Sequence, residues 1–256
     1  MLCIIPKSNI EKVSIYVNKN KKTMTQIKQE LGCQYIINAG LFNMTTFKPI
    51  NMLKVDGVSL STGGNPFGYA INGNKVVFSY DNNVNYPTFI SAYPVLVRNG
   101  KKTGDAAPAG LGGYRARSCI GVTAKGDIVL ACDTANRSID WMAEELKNAG
   151  CDTAINLDGG GSSQCNFDGK QLTSSRIVHN FICVWTKKNA TTEGEEMKTY
   201  TNGNSRKTVY ETTACTKQIG SLDPNETCSL LYEDSKFKVV MYYITGTTER
   251  KVGFIK

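Results

Sequence analysis

One histidine, His179, occurs among 256 residues, and that scarcity excludes several kinds of chemistry. A zinc centre built on multiple histidines cannot be assembled. A Ser-His-Asp hydrolase would have to use His179, yet no Gly-x-Ser-x-Gly stretch exists to present the serine. The nine cysteines (3, 33, 119, 132, 151, 165, 183, 215 and 228) include no Cys-x-x-Cys pair, which argues against a zinc ribbon or a redox dithiol. No run approaches the ~20 apolar residues of a membrane span. No basic strip interleaved with aromatics marks a nucleic-acid surface. Met1 to Pro6 is too short, and lacks the basic start, for a signal peptide.

What is present is enough to bury a sizeable core, since 41% of the residues are hydrophobic. The net charge of +8 is unevenly placed: residues 1–193 carry 21 Lys and Arg against 14 Asp and Glu, residues 194–256 carry 9 against 8. A basic larger region suits an anionic substrate, although Lys19, Lys21 and Lys22 read equally as solvated turn residues. Cys119, Cys132 and Cys183 fall inside apolar strand-like runs, where cysteine behaves as a small hydrophobe. Cytoplasmic synthesis in a reducing compartment is therefore expected, followed by release to a secreted or virion-associated location.

The run Asn156-Leu157-Asp158-Gly159-Gly160-Gly161-Ser162-Ser163 is the strongest single signal. Three glycines permit positive φ and close backbone approach, and their N–H groups can converge on an anion. A plain hairpin turn is the competing reading and needs fewer glycines. Upstream, Ser138 to Ala149 reads as a helix with Ile139, Met142, Leu146 and Ala149 on one face, Ser138 as its N-cap and Gly150 as its stop. Thr153-Ala154-Ile155 then makes a strand, which places Asp158 at a strand's carboxyl end.

A second segment repeats this grammar. Thr23 to Leu31 reads as a helix with a Thr23/Gln26 capping box, followed by Gly32-Cys33 and the strand Tyr35-Ile36-Ile37 running into Asn38. Both segments carry Gly-Cys-x-x-x-Ile-Asn. If the two strands are parallel neighbours, Asn38 and Asn156 emerge at one sheet edge.

The expected fold class is α+β: a mixed β-sheet domain with a few packing helices over residues 1–186, a polar linker over 187–198, and a small all-β barrel over 199–256. The last segment resembles a bacterial SH3-like module at Gly220-Ser221-Leu222 and Lys251-Val252-Gly253-Phe254-Ile255. That resemblance implies binding of a cell-wall peptide or glycan; a barrel that only packs or oligomerises is the alternative.

Residues 10–186 resemble the phosphodiester glycosidase family, whose Asn-Leu-Asp-Gly-Gly-Gly-Ser-Ser signature is matched in full by Asn156 to Ser163. Ile37-Asn38-Ala39-Gly40-Leu41-Phe42 resembles the family's early Asn-Gly-Gly-Phe-Phe block, with departures at Ala39 and Leu41. Arg117-Ser118-Cys119-Ile120-Gly121-Val122 resembles its Arg-x-Ala-Ile-Gly strand, Asp133 sits where the family has an acidic turn, and Arg176-Ile177-Val178-His179-Asn180 resembles the closing block. The resemblance implies hydrolysis of a glycosyl-phosphate bond.

On that reading Asp158 is the first carboxylate, as nucleophile, base or oxocarbenium stabiliser, and Asp133 the second, which leaves retaining and inverting chemistry open. Asp133 reads equally as a turn or capping aspartate. Arg117 is expected to clamp phosphate bidentately, its alternative being a structural ion pair. Asn38, Asn156, Gly159, Gly160, Gly161, Ser162, Ser163 and His179 are the expected substrate-binding residues, although His179 between apolar neighbours also reads as a partly buried strand histidine. No metal or other cofactor is demanded, and a divalent ion on Asp158, Asp133 and carbonyl oxygens is compatible. Specificity is expected in the loops Asn43 to Asn51, Ser61 to Pro66 and Gly100 to Tyr114, the last reading as a mobile lid or a surface loop. The expected partners are a glycan or sugar-phosphate substrate and, through the last segment, a wall polymer; no nucleic acid and no membrane. A noncatalytic carbohydrate-binding or structural component of a phage tail or wall complex is the alternative to a hydrolase.

Overall fold

Short connections dictate the architecture. Thr123 and Ile128 are joined by a turn in which the Gly126 N–H donates to the Thr123 carbonyl at 2.8 Å, with Gly126 at a φ of 88°. Such hairpins join antiparallel strands only, because a parallel neighbour requires a crossover of a dozen or more residues. The computed structural model describes residues 1–64, 67–79, 85–104, 111–187, 199–233, 235–243 and 250–256. The expected linker after Lys187, together with the centre of the Gly100 to Tyr114 loop and the end of the Ser61 to Pro66 loop, lies outside them. The chain divides into two units, Met1–Asn189 and Ala190–Lys256.

In the first unit one sheet has the strand order Leu2–Ile5, Ile128–Arg137, Arg115–Thr123, Cys151–Asn156, Val95–Arg98, Lys101–Lys102. A second runs Lys170–Leu172, Cys165–Phe167, Tyr35–Asn38, Asn180–Thr186, Ile10–Val17, and a third Val58–Ser61, Leu53–Val55, Thr88–Ser91, Gly68–Asn72, Lys75–Ser79. Every ladder among the described residues is antiparallel. The expected mixed α+β sheet is thus corrected to a mostly β fold, in which hairpin-length turns leave only two α-helices among the described residues.

Those helices lie where their caps place them. Helix α1, Met24–Leu31, starts at Thr23 with both halves of the capping box formed and ends at Gly32 in the left-handed region. Helix α2, Ile139–Asn148, starts at Ser138, whose side chain accepts from the Trp141 N–H at 3.0 Å. Each covers the outer face of one sheet. Strand alternation explains how: Ile120 faces the central core while its neighbour Cys119 faces α2, and Ile37 faces the central core while Ile36 faces α1. Ile27 of α1 and Leu146 of α2 are fully buried, and each such burial stabilises by about 1.5–3 kcal/mol. The central core draws Ile120 and Ile155 from the first sheet, Ile37 and Ile182 from the second, Tyr69 and Ile90 from the third. All nine cysteines are thiols, seven of them buried.

The repeated Gly-Cys-x-x-x-Ile-Asn segments do not form neighbouring strands. Cys151–Asn156 and Ile128–Arg137 flank Arg115–Thr123 in the first sheet, whereas Tyr35–Asn38 and Ile10–Val17 flank Asn180–Thr186 in the second. Each helix therefore carries the chain across one intervening antiparallel strand.

The second unit is a six-stranded antiparallel sheet ordered Thr199–Thr201, Thr227–Glu233, Lys238–Tyr243, Arg250–Ile255, Lys207–Tyr210, Gln218–Leu222. The expected closed SH3-like barrel is overturned, since the two end strands do not pair among the described residues. Between these ends the contact is made by a side chain, that of buried Asn202. Its Nδ2 donates to the carbonyls of Ser205 at 2.7 Å and of Leu222 and Asp223 at 3.0 Å, taking up acceptors beside the last strand.

Candidate functional site

The two repeated strands end at one place although they belong to different sheets. The Asp158 N–H donates to the Ala39 carbonyl at 2.9 Å, and the Leu157 N–H to the Ser118 carbonyl at 2.7 Å. Asn38, fully buried, is the clasp: its Nδ2 donates to the Asp158 carbonyl at 2.7 Å, while its Oδ1 accepts from the Ser118 hydroxyl at 2.6 Å and the Gln164 N–H at 3.1 Å. Asn156 makes shorter-range bonds, from Nδ2 to the Leu157 carbonyl at 2.7 Å and the Tyr93 carbonyl at 3.4 Å.

A cavity of about 340 Å³ opens at this junction, lined by Asn156 to Gly161, by Leu41, Tyr93 and Leu111, and by three arginines, Arg115, Arg117 and Arg176. Asp158 is its one carboxylate among the described residues. Desolvation by burial raises the Asp158 pKa above the ordinary aspartate value, and outweighs a hydrogen bond from Ser162, the charge of Arg176 and a hydrogen bond from the Gly159 N–H, which all favour the ionised form. Ser162 also accepts from Arg176 Nη1 at 3.1 Å, which holds that guanidinium beside the glycine run.

The glycine run has a separate reason at each position. Gly160 adopts a φ of 59°, with nothing within 4 Å of where a Cβ would sit. A Cβ on Gly161 would fall 2.7 Å from Arg176 Nη2, so the guanidinium lies flat on that glycine. At Gly159 it would fall 2.9 Å from the Ala116 carbonyl oxygen. Gly160–Ser162 forms a 3₁₀ turn whose own bonds begin at the Ser162 N–H.

The other expected site residues either reach the cavity with their side chains already engaged, as Arg117 does, or lie outside its lining. Arg117 is 1% exposed, and its Nε, Nη1 and Nη2 donate to the carbonyls of Arg137 (3.1 Å), Leu111 (2.9 Å) and Gly113 (2.6 Å). It pins the 111–113 segment against its own hairpin. Asp133 pairs with Arg137 at 2.8 Å and accepts from the Ala135 N–H at 2.8 Å. Burial pushes its carboxyl up, but those two hydrogen bonds and the Arg137 charge outweigh this and leave its pKa lowered. Ser163 is buried, with its hydroxyl unpartnered among the described residues. His179 is buried outside the lining, against Phe42 and Phe47, and burial lowers its pKa.

Sequence reasoning passed over Arg115 and Arg176. Arg176 stands at the head of the closing block, where it could have been singled out. Arg115 stands two residues before Arg117 on one strand, so alternation places both on one face, and both line the cavity. Among the described residues no group of three or more His, Cys, Asp or Glu side chains is disposed to hold a metal ion.

In fold, the chain is similar to the catalytic domain of zebrafish N-acetylglucosamine-1-phosphodiester alpha-N-acetylglucosaminidase, auto-inhibited by its pro-peptide, with 19% identity over 69% of this chain and 73% of that one and a TM-score of 0.56. A hypothetical protein from Synechocystis gives 15% identity over 73% and 59%, with a TM-score of 0.62. A Burkholderia pseudomallei protein gives 13% identity over 72% and 73%, with a TM-score of 0.53. Among curated proteins none matches the sequence. Residues 31–185, more than half of the chain and the whole of the site just described, match the family model described as phosphodiester glycosidase. The chain belongs to the phosphodiester glycosidase family.

Proposed function

We propose that the protein hydrolyses the glycosyl-phosphate bond of a sugar-1-phosphodiester, giving a free sugar and a phosphomonoester. The observation that carries this reading is the placement of a single buried carboxylate, Asp158, in a pocket lined by Arg115, Arg117 and Arg176. A phosphodiester anion satisfies that charge arrangement, and a phosphate leaving group needs anion stabilisation more than a strong acid. Arg115 and Arg176 hold the phosphate, the planar fork of a guanidinium matching two phosphate oxygens. The ionised Asp158, made more basic than usual by burial, acts at the anomeric carbon as base or as stabiliser of the oxocarbenium-like transition state. Water supplies the oxygen that ends on the sugar.

The substrate class follows the relative's printed specificity, an N-acetylglucosamine-1-phosphodiester, as the first compound to try. The experiment is release of sugar by the full chain from a panel of sugar-1-phosphodiesters, with uncharged aryl glycosides of the same sugars alongside. Turnover of at least one diester at a rate well above its aryl counterpart is expected. No release from any diester would overturn the assignment, and equal rates on both types would remove the phosphate from it.

A further inference from the structure

Asp158 hangs from a turn that is itself held by a buried amide, and that amide lies against the chain's one histidine. Asn180 is fully buried. Its Oδ1 accepts from the Gly40 N–H at 2.6 Å, and its backbone carbonyl accepts from the Ala39 N–H at 3.0 Å. The Ala39 carbonyl in turn accepts from the Asp158 N–H at 2.9 Å, and Asn38 Nδ2 donates to the Asp158 carbonyl at 2.7 Å. With Oδ1 taken by Gly40, Asn180 presents its Nδ2 as a donor, 2.9 Å from His179 Nδ1. His179 Nδ1 must then be the bare, accepting nitrogen, with the proton on Nε2.

The surroundings of the ring are consistent with that state. It stacks on Phe42 with centroids 6.3 Å apart at 25°, and meets Phe47 edge-on at 5.3 Å and 66°. An apolar slot of this kind disfavours the charged ring, which could not accept at Nδ1. A phenylalanine would fill the slot equally well but leave a buried amide N–H unpaired. Histidine is the aromatic side chain that can both pack there and accept.

We propose that His179 is a positioning residue: by accepting from Asn180 it fixes the Asn38–Ala39–Gly40 turn, and through that turn the main chain of Asp158. This role rests on the assignment of Asp158 as the reacting carboxylate. The test compares His179→Phe, which keeps the ring stack and removes the acceptor, with His179→Asn, whose Oδ1 falls where Nδ1 now lies. On a sugar-1-phosphodiester, His179→Phe should lower kcat by at least ~10-fold with KM within about 2-fold, since sub-ångström misplacement of a reacting group acts on turnover. His179→Asn should recover most of that loss. Amide hydrogen exchange at Gly40 and Asp158 should accelerate in His179→Phe and return towards wild type in His179→Asn. Wild-type kcat together with unchanged exchange in His179→Phe would overturn the proposal. If His179→Phe does not fold, nitrogen NMR of the wild-type ring decides: an unprotonated Nδ1 supports the role and a protonated Nδ1 overturns it. Exchange and tautomer are read without any turnover, so failure of the hydrolase assignment remains distinguishable from failure of this one.

Discussion

The two Gly-Cys-x-x-x-Ile-Asn segments, Gly32 to Asn38 and Gly150 to Asn156, begin alike and end differently. Each follows a helix, turns at a glycine with positive φ, buries its cysteine and sends a strand to the junction of two sheets. Asn38 is then wholly taken up by internal partners, whereas Asn156 lines the cavity and leads into Asp158 and the glycines. The same local grammar thus builds scaffold twice and a site once. What separates them is the residue that follows: Ala39 offers only its backbone, while Leu157-Asp158 delivers a carboxylate.

The contrast is broken most severely at Asp158. Replacement by Asn removes the charge at nearly constant size, and turnover should fall at least ~100-fold. Stability should move the other way. A raised folded-state pKa means that the carboxyl's favourable contribution is present below the unfolded pKa and lost as pH rises through the folded value. At pH 7.5 the wild type therefore carries a buried charge that the variant lacks, and the variant's Tm should be at least equal to wild type. The same sign places the acid limb of wild-type kcat/KM above the ordinary aspartate value of 3.8. A folded Asp158→Asn with wild-type turnover would remove it from the chemistry.

Next comes the pair of asparagines. Asn38→Ala strands the Ser118 hydroxyl, the Gln164 N–H and the Asp158 carbonyl, and should cost about 3 kcal/mol. Asn156→Ala loses mainly a bond to the adjacent Leu157 carbonyl, and should cost about 1 kcal/mol. Urea titrations of both variants give the comparison, and equal losses would mean that the two copies are equally structural.

The arginines divide in the same way. Arg176→Lys should lose about 10-fold in kcat/KM on phosphodiesters and much less on an aryl glycoside of the same sugar, because an ammonium lacks the two-donor fork. Arg117→Lys should lower both rates alike, together with Tm, since its guanidinium holds three carbonyls. A selective phosphodiester deficit in Arg117→Lys alone would reverse these roles.

The smallest effects separate the glycines. Gly160→Ala strains a positive φ, for about 1 kcal/mol of stability, with no new contact. Gly161→Ala meets the end of the flexible Arg176 side chain, so stability should hold while affinity for inorganic phosphate falls. Calorimetric titration with phosphate on both variants checks the contrast.

Local signals were legible in the sequence and lateral ones were not. The Thr23 capping box, the Ser138 cap and the glycine run are written within a few residues, and the structure contains each of them. Strand pairing depends on partners 163 to 176 residues away, as between Ile10–Val17 and Asn180–Thr186, so an antiparallel fold passed for a mixed sheet. The second unit passed for a barrel because closure depends on whether its end strands, Thr199–Thr201 and Gln218–Leu222, pair with each other, and no local pattern shows that they do not. Arg117 stood out by its neighbours in sequence. That Arg176 joins Arg115 and Arg117 at the cavity was decided by its approach to Gly161, which the local pattern does not show.

Hydrolysis of a sugar-1-phosphodiester in ¹⁸O-water, with mass analysis of both products, tests the central claim most directly. Attack at the anomeric carbon places the label in the released sugar and none in the phosphomonoester. Label in the phosphomonoester would mean cleavage at phosphorus, and would contradict a glycosidase built around Asp158.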